Sequence, residues 1–357
     1  MRNIKVSLKK IEELRKYYLE NPIDDKFPQI IKNEIGIDLK ARYGNFELIH
    51  PVLIAPGQLT REVFQIKIIK EAGYSGCVLK SVVGEDEKGN CSMLNQRKKM
   101  TYLKTVYDEE GNPVIQWDGR GDTRNLEEYL KFAKTSFNFS DKNFLIVSSI
   151  LCHLPGPEEE FKKDEWIYTT KKLYHIGYRF FEIDFCPSLK IEKKIEKENI
   201  LRWYREIPEF LKNEFPDIYV FPKILNLEYG IDFQLEIIKS AIEGNSDGVV
   251  IGNRIFKEEF NSAYGGKELR ERNLIQIKEA KREFPDISIS GTGGVYEGRH
   301  IFDYLKAGAD NVQILSYILG KAKKGFLKKK GNKLEKVIYE LFFNPVNGLL
   351  NFYIDSV

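Results

Sequence analysis

From Pro51 onward the chain alternates short, wholly apolar runs with segments whose apolar residues recur every three to four positions, the signatures of buried strands and one-sided helices. The first run is 52–55, and the segment after it places Leu59, Val63 and Ile66 at i, i+4 and i+7, with Ile69 at the edge of the same face. A second strand is predicted over 75–80. The rhythm then continues as helix 126–137 into strand 144–150, and helix 159–175 into strand 178–184. Helix 200–211, with Ile200, Tyr204, Ile207 and Leu211 on one face, leads to strand 218–225, and helix 231–242 leads to 248–252. Helix 269–284 leads into two last strands, one carrying Ile287 and Ile289 and one over 312–315. Parallel strands need crossover helices, so eight strand–helix units in this order predict an α/β protein with a closed (β/α)8 TIM barrel.

Three stretches stand outside the rhythm. Residues 1–49 form an N-terminal helical extension in which Leu8, Ile11, Leu14 and Tyr18 share one face, a brace for the barrel or, in the sharper reading, a docking surface. Residues 82–123 carry turn signals at Lys88-Gly89-Asn90 and Glu110-Gly111-Asn112, which makes them an excursion over one end of the barrel. Residues 321–330 are Lys-rich and read as a solvated surface, followed by a helix at 334–343 and an apolar tail at 346–357. The barrel itself spans 50–345 as a single domain, a size such barrels reach.

Composition narrows the partners. A net charge of +3, from 56 basic and 53 acidic residues, lacks the basic excess of a nucleic-acid binder. No apolar run is long enough to span a bilayer, and the first residues lack a signal-peptide core, so a cytoplasmic protein is expected. Cys77, Cys91, Cys152 and Cys186 contain no C-x-x-C pair, which leaves no iron–sulfur or zinc-ribbon spacing.

Chemistry enters at the strand ends, where barrels place it. Near the end of the chain Gly291-Thr292-Gly293-Gly294 follows a strand. After the next strand come Leu315 and Ser316, the latter placed to offer a hydroxyl. Glycines directly after a strand let backbone N–H groups approach an anion, and two such units in succession describe the phosphate site of a barrel; tight turns alone are the simpler alternative. The other strand ends carry Ala55-Pro56-Gly57, Lys80-Ser81, Asp184-Phe185-Cys186-Pro187-Ser188, Lys223 and Asn253. Two lysines in a barrel mouth are costly unless they face negative charge, which points to an anionic ligand. Cys186, close to lysines, is a candidate base or nucleophile, set against the commoner buried structural cysteine.

These residues resemble the dihydroorotate dehydrogenase family of flavin mononucleotide (FMN) barrels over roughly residues 50 to 345. The family's E-x-N-x-S-C-P-N signature is similar, with one residue missing, to Glu182 through Ser188. Its K-S and G-N pairs match Lys80-Ser81 and Gly89-Asn90, its strand-five lysine Lys223, its strand-six asparagine Asn253 and its Gly-Gly Gly265-Gly266. The stretches G-x-G-G-I and A-G-A-x-x-V-Q match 291–295 and 307–313. The resemblance implies an FMN oxidoreductase of pyrimidine biosynthesis, acting on a CH–CH bond and oxidising dihydroorotate, or a related dihydropyrimidine, to orotate by proton abstraction and hydride transfer to flavin N5. It implies that the FMN phosphate rests on Gly293, Gly294, Leu315 and Ser316 with Gly266 closing in. Ala55, Gly57, Lys80, Ser81 and Asn253 would complete the cofactor contacts. Lys223 would face the flavin edge that becomes negative on reduction. Cys186 would be the base of the cysteine-using branch, with Lys80 helping to lower a thiol pKa that is ordinarily about 8.5.

The substrate pattern departs from the family. Four asparagines read the orotate ring there, whereas here Asp184 and Ser188 replace two of them. The N-x-x-G-L-x-N loop is represented by Gln116, Gly119 and Arg120, and Arg254 stands in place of a small hydroxyl residue. An aspartate accepts hydrogen bonds but cannot donate them. Lys80, Gln116, Gly119, Arg120, Asp184, Ser188, Asn253 and Arg254 are the expected substrate contacts, with Arg120 or Arg254 available to clamp a carboxylate. Alternatives are a different cyclic substrate, a flavin-free lyase or isomerase on a sugar phosphate, and a flavin-binding protein without catalysis. The electron acceptor is open. NAD would need a partner subunit, whereas a soluble acceptor such as fumarate would not, and a homodimer is compatible with the fold.

Overall fold

In the computed structural model, which describes residues 4–99, 102–119, 121–187, 195–252, 254–257, 262–320 and 328–355, the buried apolar runs close into a barrel. The extension supplies α1 (Ile4–Glu20), α2 (Phe27–Ile35) and a hairpin of β1 (Ala41–Tyr43) and β2 (Phe46–Leu48). Then come β3 (Val52–Ile54), α3 (Val63–Glu71), β4 (Gly76–Val78), β5 (Val82–Val83), the single turn α4 (Leu94–Arg97), and a second hairpin of β6 (Tyr102–Tyr107) and β7 (Pro113–Asp118). The alternation resumes with α5 (Leu126–Phe137), β8 (Leu145–Leu151), α6 (Lys163–Ile176), β9 (Phe180–Asp184), α7 (Lys197–Glu214), β10 (Tyr219–Ile224), α8 (Ile231–Glu243) and β11 (Gly248–Ile251). Two short strands, β12 (Ile255–Lys257) and β13 (Ser262–Gly265), precede α9 (Lys267–Glu283), β14 (Ser288–Thr292), α10 (Gly298–Ala307), β15 (Asn311–Ile314) and α11 (Ser316–Leu319). The chain ends in α12 (Lys333–Phe343) and α13 (Leu349–Asp355). Around the barrel the order is β3, β4, β8, β9, β10, β11, β14, β15 and back to β3, all parallel. The (β/α)8 expectation holds.

Strand alternation divides the core in two. Outward side chains such as Val52, Ile54, Phe181 and Ile183 pack against the helices, each fully buried one contributing roughly 1.5–3 kcal/mol. Inward ones, among them Leu53, Val78, Val147, Phe221 and Val250, fill the barrel. Tyr43 from the β1–β2 hairpin enters this inner cluster from the opposite end to the site, its ring centroid 4.3 Å from that of Phe221. Helix starts are written locally: Asn125 accepts from the Glu128 amide at 2.8 Å, and the Glu128 carboxylate takes the Asn125 N–H at 3.3 Å, a capping box that fixes α5.

Several stretches differ from the sequence reading. In α1 Ile11 and Tyr18 are buried as expected, but Leu8 faces solvent. The excursion after the second strand is built on β5, which lengthens the β8 edge of the barrel, and on the β6–β7 hairpin. That hairpin joins β12 and β13 in a four-stranded antiparallel sheet, whose later pair the sequence pattern does not announce because each strand has only three or four residues. The apolar tail folds as α13 and buries Leu349 and Leu350 completely. Residues 321–327 of the Lys-rich stretch lie outside the described residues. Lys329 is buried instead of solvated, its Nζ donating to the carbonyls of Asn21 at 2.9 Å and Lys330 at 2.6 Å. Among the described residues no helix is long and apolar enough to cross a membrane.

Candidate functional site

A cleft lies at the C-terminal ends of the barrel strands. Its charged side is fixed by the backbone. The Lys80 N–H donates to the Thr60 carbonyl at 3.1 Å. The Lys80 carbonyl accepts the Tyr129 hydroxyl at 2.8 Å, and the Ser81 carbonyl accepts the Asp122 N–H at 2.7 Å. Ser81 Oγ in turn lies 3.0 Å from Asp184 Oδ2 and 2.9 Å from Ser149 Oγ. Opposite, β9 and β10 pair so that Asp184 faces Lys223. Beyond β9 the Phe185 ring stacks on Tyr204 at 4.0 Å, which turns Phe185 into the core and leaves Asp184 and Cys186 lining the cleft. The Tyr204 hydroxyl closes the arrangement by donating to the Lys223 carbonyl at 2.8 Å.

The electrostatics are those of a cation-rich pocket holding one carboxylate. Burial would raise Asp184, but Lys223, Lys80 and Arg254, with the Ser81 hydroxyl, hold it below the usual carboxylate range, so it is an ionised acceptor. Lys80 moves the other way. Burial lowers it, proximity to Asp184, Cys186 and Asp122 opposes that, and Lys223 adds repulsion. Arg254 is 5% exposed, lines the cleft, and donates from Nη2 to the Pro187 carbonyl at 3.3 Å. Cys186 packs beside Val83, Met93 and Leu151, so the sulfur has an apolar flank and a charged one.

The far end of the cleft is backbone. Gly293 and Gly294 adopt φ of 102° and 63°, the left-handed region in which any other residue is strained. A Cβ on Gly294 would sit 2.7 Å from the Gly266 carbonyl oxygen, and one on Gly57 would sit 2.5 Å from Leu315 Cδ2. Leu315 and Ser316 line the same end. Side-chain-free backbone of this kind suits an anion such as a phosphate. Between it and the charged end, Leu103, Ile115 and Trp117 supply an apolar wall from the β6–β7 hairpin. Glycine-rich backbone, an apolar wall and two lysines lining one cleft are chemically compatible with a phosphorylated aromatic cofactor.

Most of the expected residues are brought together: Ala55, Gly57, Lys80, Ser81, Lys223, Gly293, Gly294, Leu315 and Ser316 line this one cleft, as do Asp184, Cys186, Arg254 and Gly119. Gly266 stands behind it as the N-cap of α9. Gln116 does not line it. The period of two along β7 points Ile115 and Trp117 at the cleft and turns Gln116 to the other face. Arg120, Ser188 and Asn253 lie outside the described residues. Trp117 and Gln313 were missed by the sequence reading; the inward alternation of β15, which puts Gln313 between Asn311 and Leu315, was the available signal for the latter.

No protein-family model matches the chain. Two curated relatives do, the catalytic subunits of dihydroorotate dehydrogenase B (NAD(+)) from Thermotoga petrophila and Thermotoga maritima. Each is 22% identical over 162 residues, 42% of this chain and 58% of the relative. The match thus spans less than two thirds of either relative's length. At this distance the chain is a (β/α)8 TIM barrel with distant homology to these dihydroorotate dehydrogenase subunits.

Proposed function

We propose that the chain is an FMN-dependent oxidoreductase that oxidises a CH–CH bond in a dihydropyrimidine-like ring acid. The observation that carries the reading is the convergence, in one cleft, of the Gly293-Gly294 cradle, Lys223 and the Lys80–Cys186 pair. Bound FMN supplies a hydride acceptor. The chain's own residues do the rest. Gly293, Gly294, Leu315 and Ser316 hold the phosphate, with Gly266 behind them. Lys223 answers negative charge at the other end of the cofactor. Cys186 Sγ takes the proton from the carbon next to the substrate carbonyl, and the Lys80 ammonium beside it favours the thiolate that can do so. Asp184, an ionised acceptor that cannot donate, stands where the ring is read and disfavours a ring carbonyl there, and Arg254 meets the substrate carboxylate.

Asp184 and Arg254 favour a second reading within the same chemistry, a cyclic substrate other than dihydroorotate, because both change the donor and acceptor pattern. The experiment is an anaerobic titration of purified protein with dihydroorotate and a panel of related dihydropyrimidines. A yellow protein whose flavin absorbance bleaches with a ring acid is the expected result. Colourless protein that takes up no added FMN would end the reading.

A further inference from the structure

A carboxyl that none of these roles uses lies one inward position below the cleft. Glu182 precedes Asp184 by two residues on β9, so its side chain enters the barrel about 6.6 Å deeper. It is 1% exposed. Its Oε1 accepts from the Tyr43 hydroxyl at 2.9 Å and from the Gln313 amide, whose Nε2 also donates to Ser290 Oγ at 3.0 Å. Its Oε2 has no hydrogen-bond partner among the described residues. Two neighbours of Glu182, Gln313 and Lys223, line the cleft above. Glu182 therefore touches the floor of the site while remaining sealed from solvent.

The charges facing it come from few directions. Lys223 approaches from β10, two residues beyond Phe221, the register partner of Glu182, and Asp184 lies on its own strand. Tyr43 enters from β1. Gln313 on β15 and Ser149, the register partner on β8, are neutral. Burial, with Asp184 adding to it, holds the Glu182 carboxyl above the usual carboxylate range against the pull of Lys223, Gln313 and Tyr43. A fully buried carboxyl needs a counter-charge to stay ionised, and the lysine able to provide it is the one that also faces the cleft. Negative charge arriving in the cleft competes for that lysine.

We propose that Glu182 is a charge-compensating, positioning residue: it is ionised against Lys223 while the cleft lacks added charge, and takes up a proton when the bound cofactor becomes anionic on reduction. This rests on the flavin reading above. Two electrons and one proton enter the cofactor from the reductant and water, a second proton passes from solvent to the Glu182 carboxylate, and no bond within the protein breaks. The unpartnered Oε2 is the atom that receives it.

The test is a spectroelectrochemical titration of the FMN-loaded full chain against pH, with redox-difference infrared spectra of the same samples. Wild type is expected to take up two protons per electron pair where Glu182 titrates, and Glu182→Gln one, halving the slope of midpoint potential against pH. A protonated-carboxyl stretch should appear on reduction in wild type, shift in Tyr43→Phe and be missing in Glu182→Gln. If Glu182→Gln does not retain flavin, wild type and Tyr43→Phe decide the matter through that band. Yellow protein with no carboxyl band, or with equal slopes in wild type and Glu182→Gln, overturns the Glu182 assignment alone. Wild type that binds no FMN overturns it together with the functional reading.

Discussion

The Gly266 carbonyl oxygen stands 2.7 Å from the point that a Cβ on Gly294 would occupy. Gly294 also has φ of 63°, so alanine there meets both a conformational penalty of about 1 kcal/mol and a collision with backbone that cannot swing away. Gly294→Ala should therefore open the cradle and weaken FMN binding by at least ~10-fold, with the far-ultraviolet circular dichroism of the fold retained. Flavin release measured by fluorescence checks this, and unchanged affinity would remove the phosphate from this end of the cleft.

Cys186 offers the cleanest separation of binding from chemistry. Cys186 follows β9 and the glycine cradle follows β14, three strands away around the barrel, so Cys186→Ala should keep the cofactor and lose the base. Loss of a general base costs roughly 10²–10⁴-fold, read as the rate of flavin bleaching by substrate in anaerobic stopped flow. Bleaching at the wild-type rate would assign the proton transfer to another group.

The barrel was legible because its rule is periodic. Buried strands and one-sided helices repeat until they can only close, and helix 126–137 is found with its predicted ends. The site was legible where it sits on strand ends, as at Lys80, Asp184 and Lys223, because alternation fixes which side chains enter the mouth. It was not legible at Gln116, where the loop match carried the expectation while the hairpin's own alternation turned the side chain away. Tyr43 was hidden for a different reason. Three-residue strands give no period, and its role depends on a contact with Glu182 made 139 residues later.

Asp184 marks where the substrate pattern parts from the family. It is held ionised by Lys223, Lys80 and Arg254, so it repels any substrate carbonyl placed against it. Asp184→Asn restores a group that both donates and accepts. Relief of one unsatisfied buried contact is worth about 1–3 kcal/mol, so orotate should bind the flavoprotein ~10-fold or more tightly, measured by the perturbation of flavin absorbance. Weaker orotate binding in the variant would mean that Asp184 already accepts from the ring in the wild-type protein.

Away from the cleft, acid sensitivity should trace to His50. The imidazole is fully buried, with Nε2 2.7 Å from the Gly73 carbonyl and Nδ1 accepting the Val52 N–H at 3.1 Å, an arrangement that requires the neutral Nε2–H tautomer. Burial lowers its pKa from 6.5 to about 4, against the pull of the Gly73 carbonyl. In the unfolded chain the ring protonates near its ordinary value, so the unfolded state binds the proton first as the pH falls. The stability that His50 contributes is thus whole above pH 6.5, erodes as the pH drops towards about 4 and is flat below that. The total loss is about 3 kcal/mol at 1.36 kcal/mol per pK unit. His50→Gln, which keeps an N–H donor for Gly73 but cannot titrate, should lose this slope between pH 6.5 and about 4 in urea denaturation. An unchanged slope in the variant would place the acid sensitivity in the carboxylates instead.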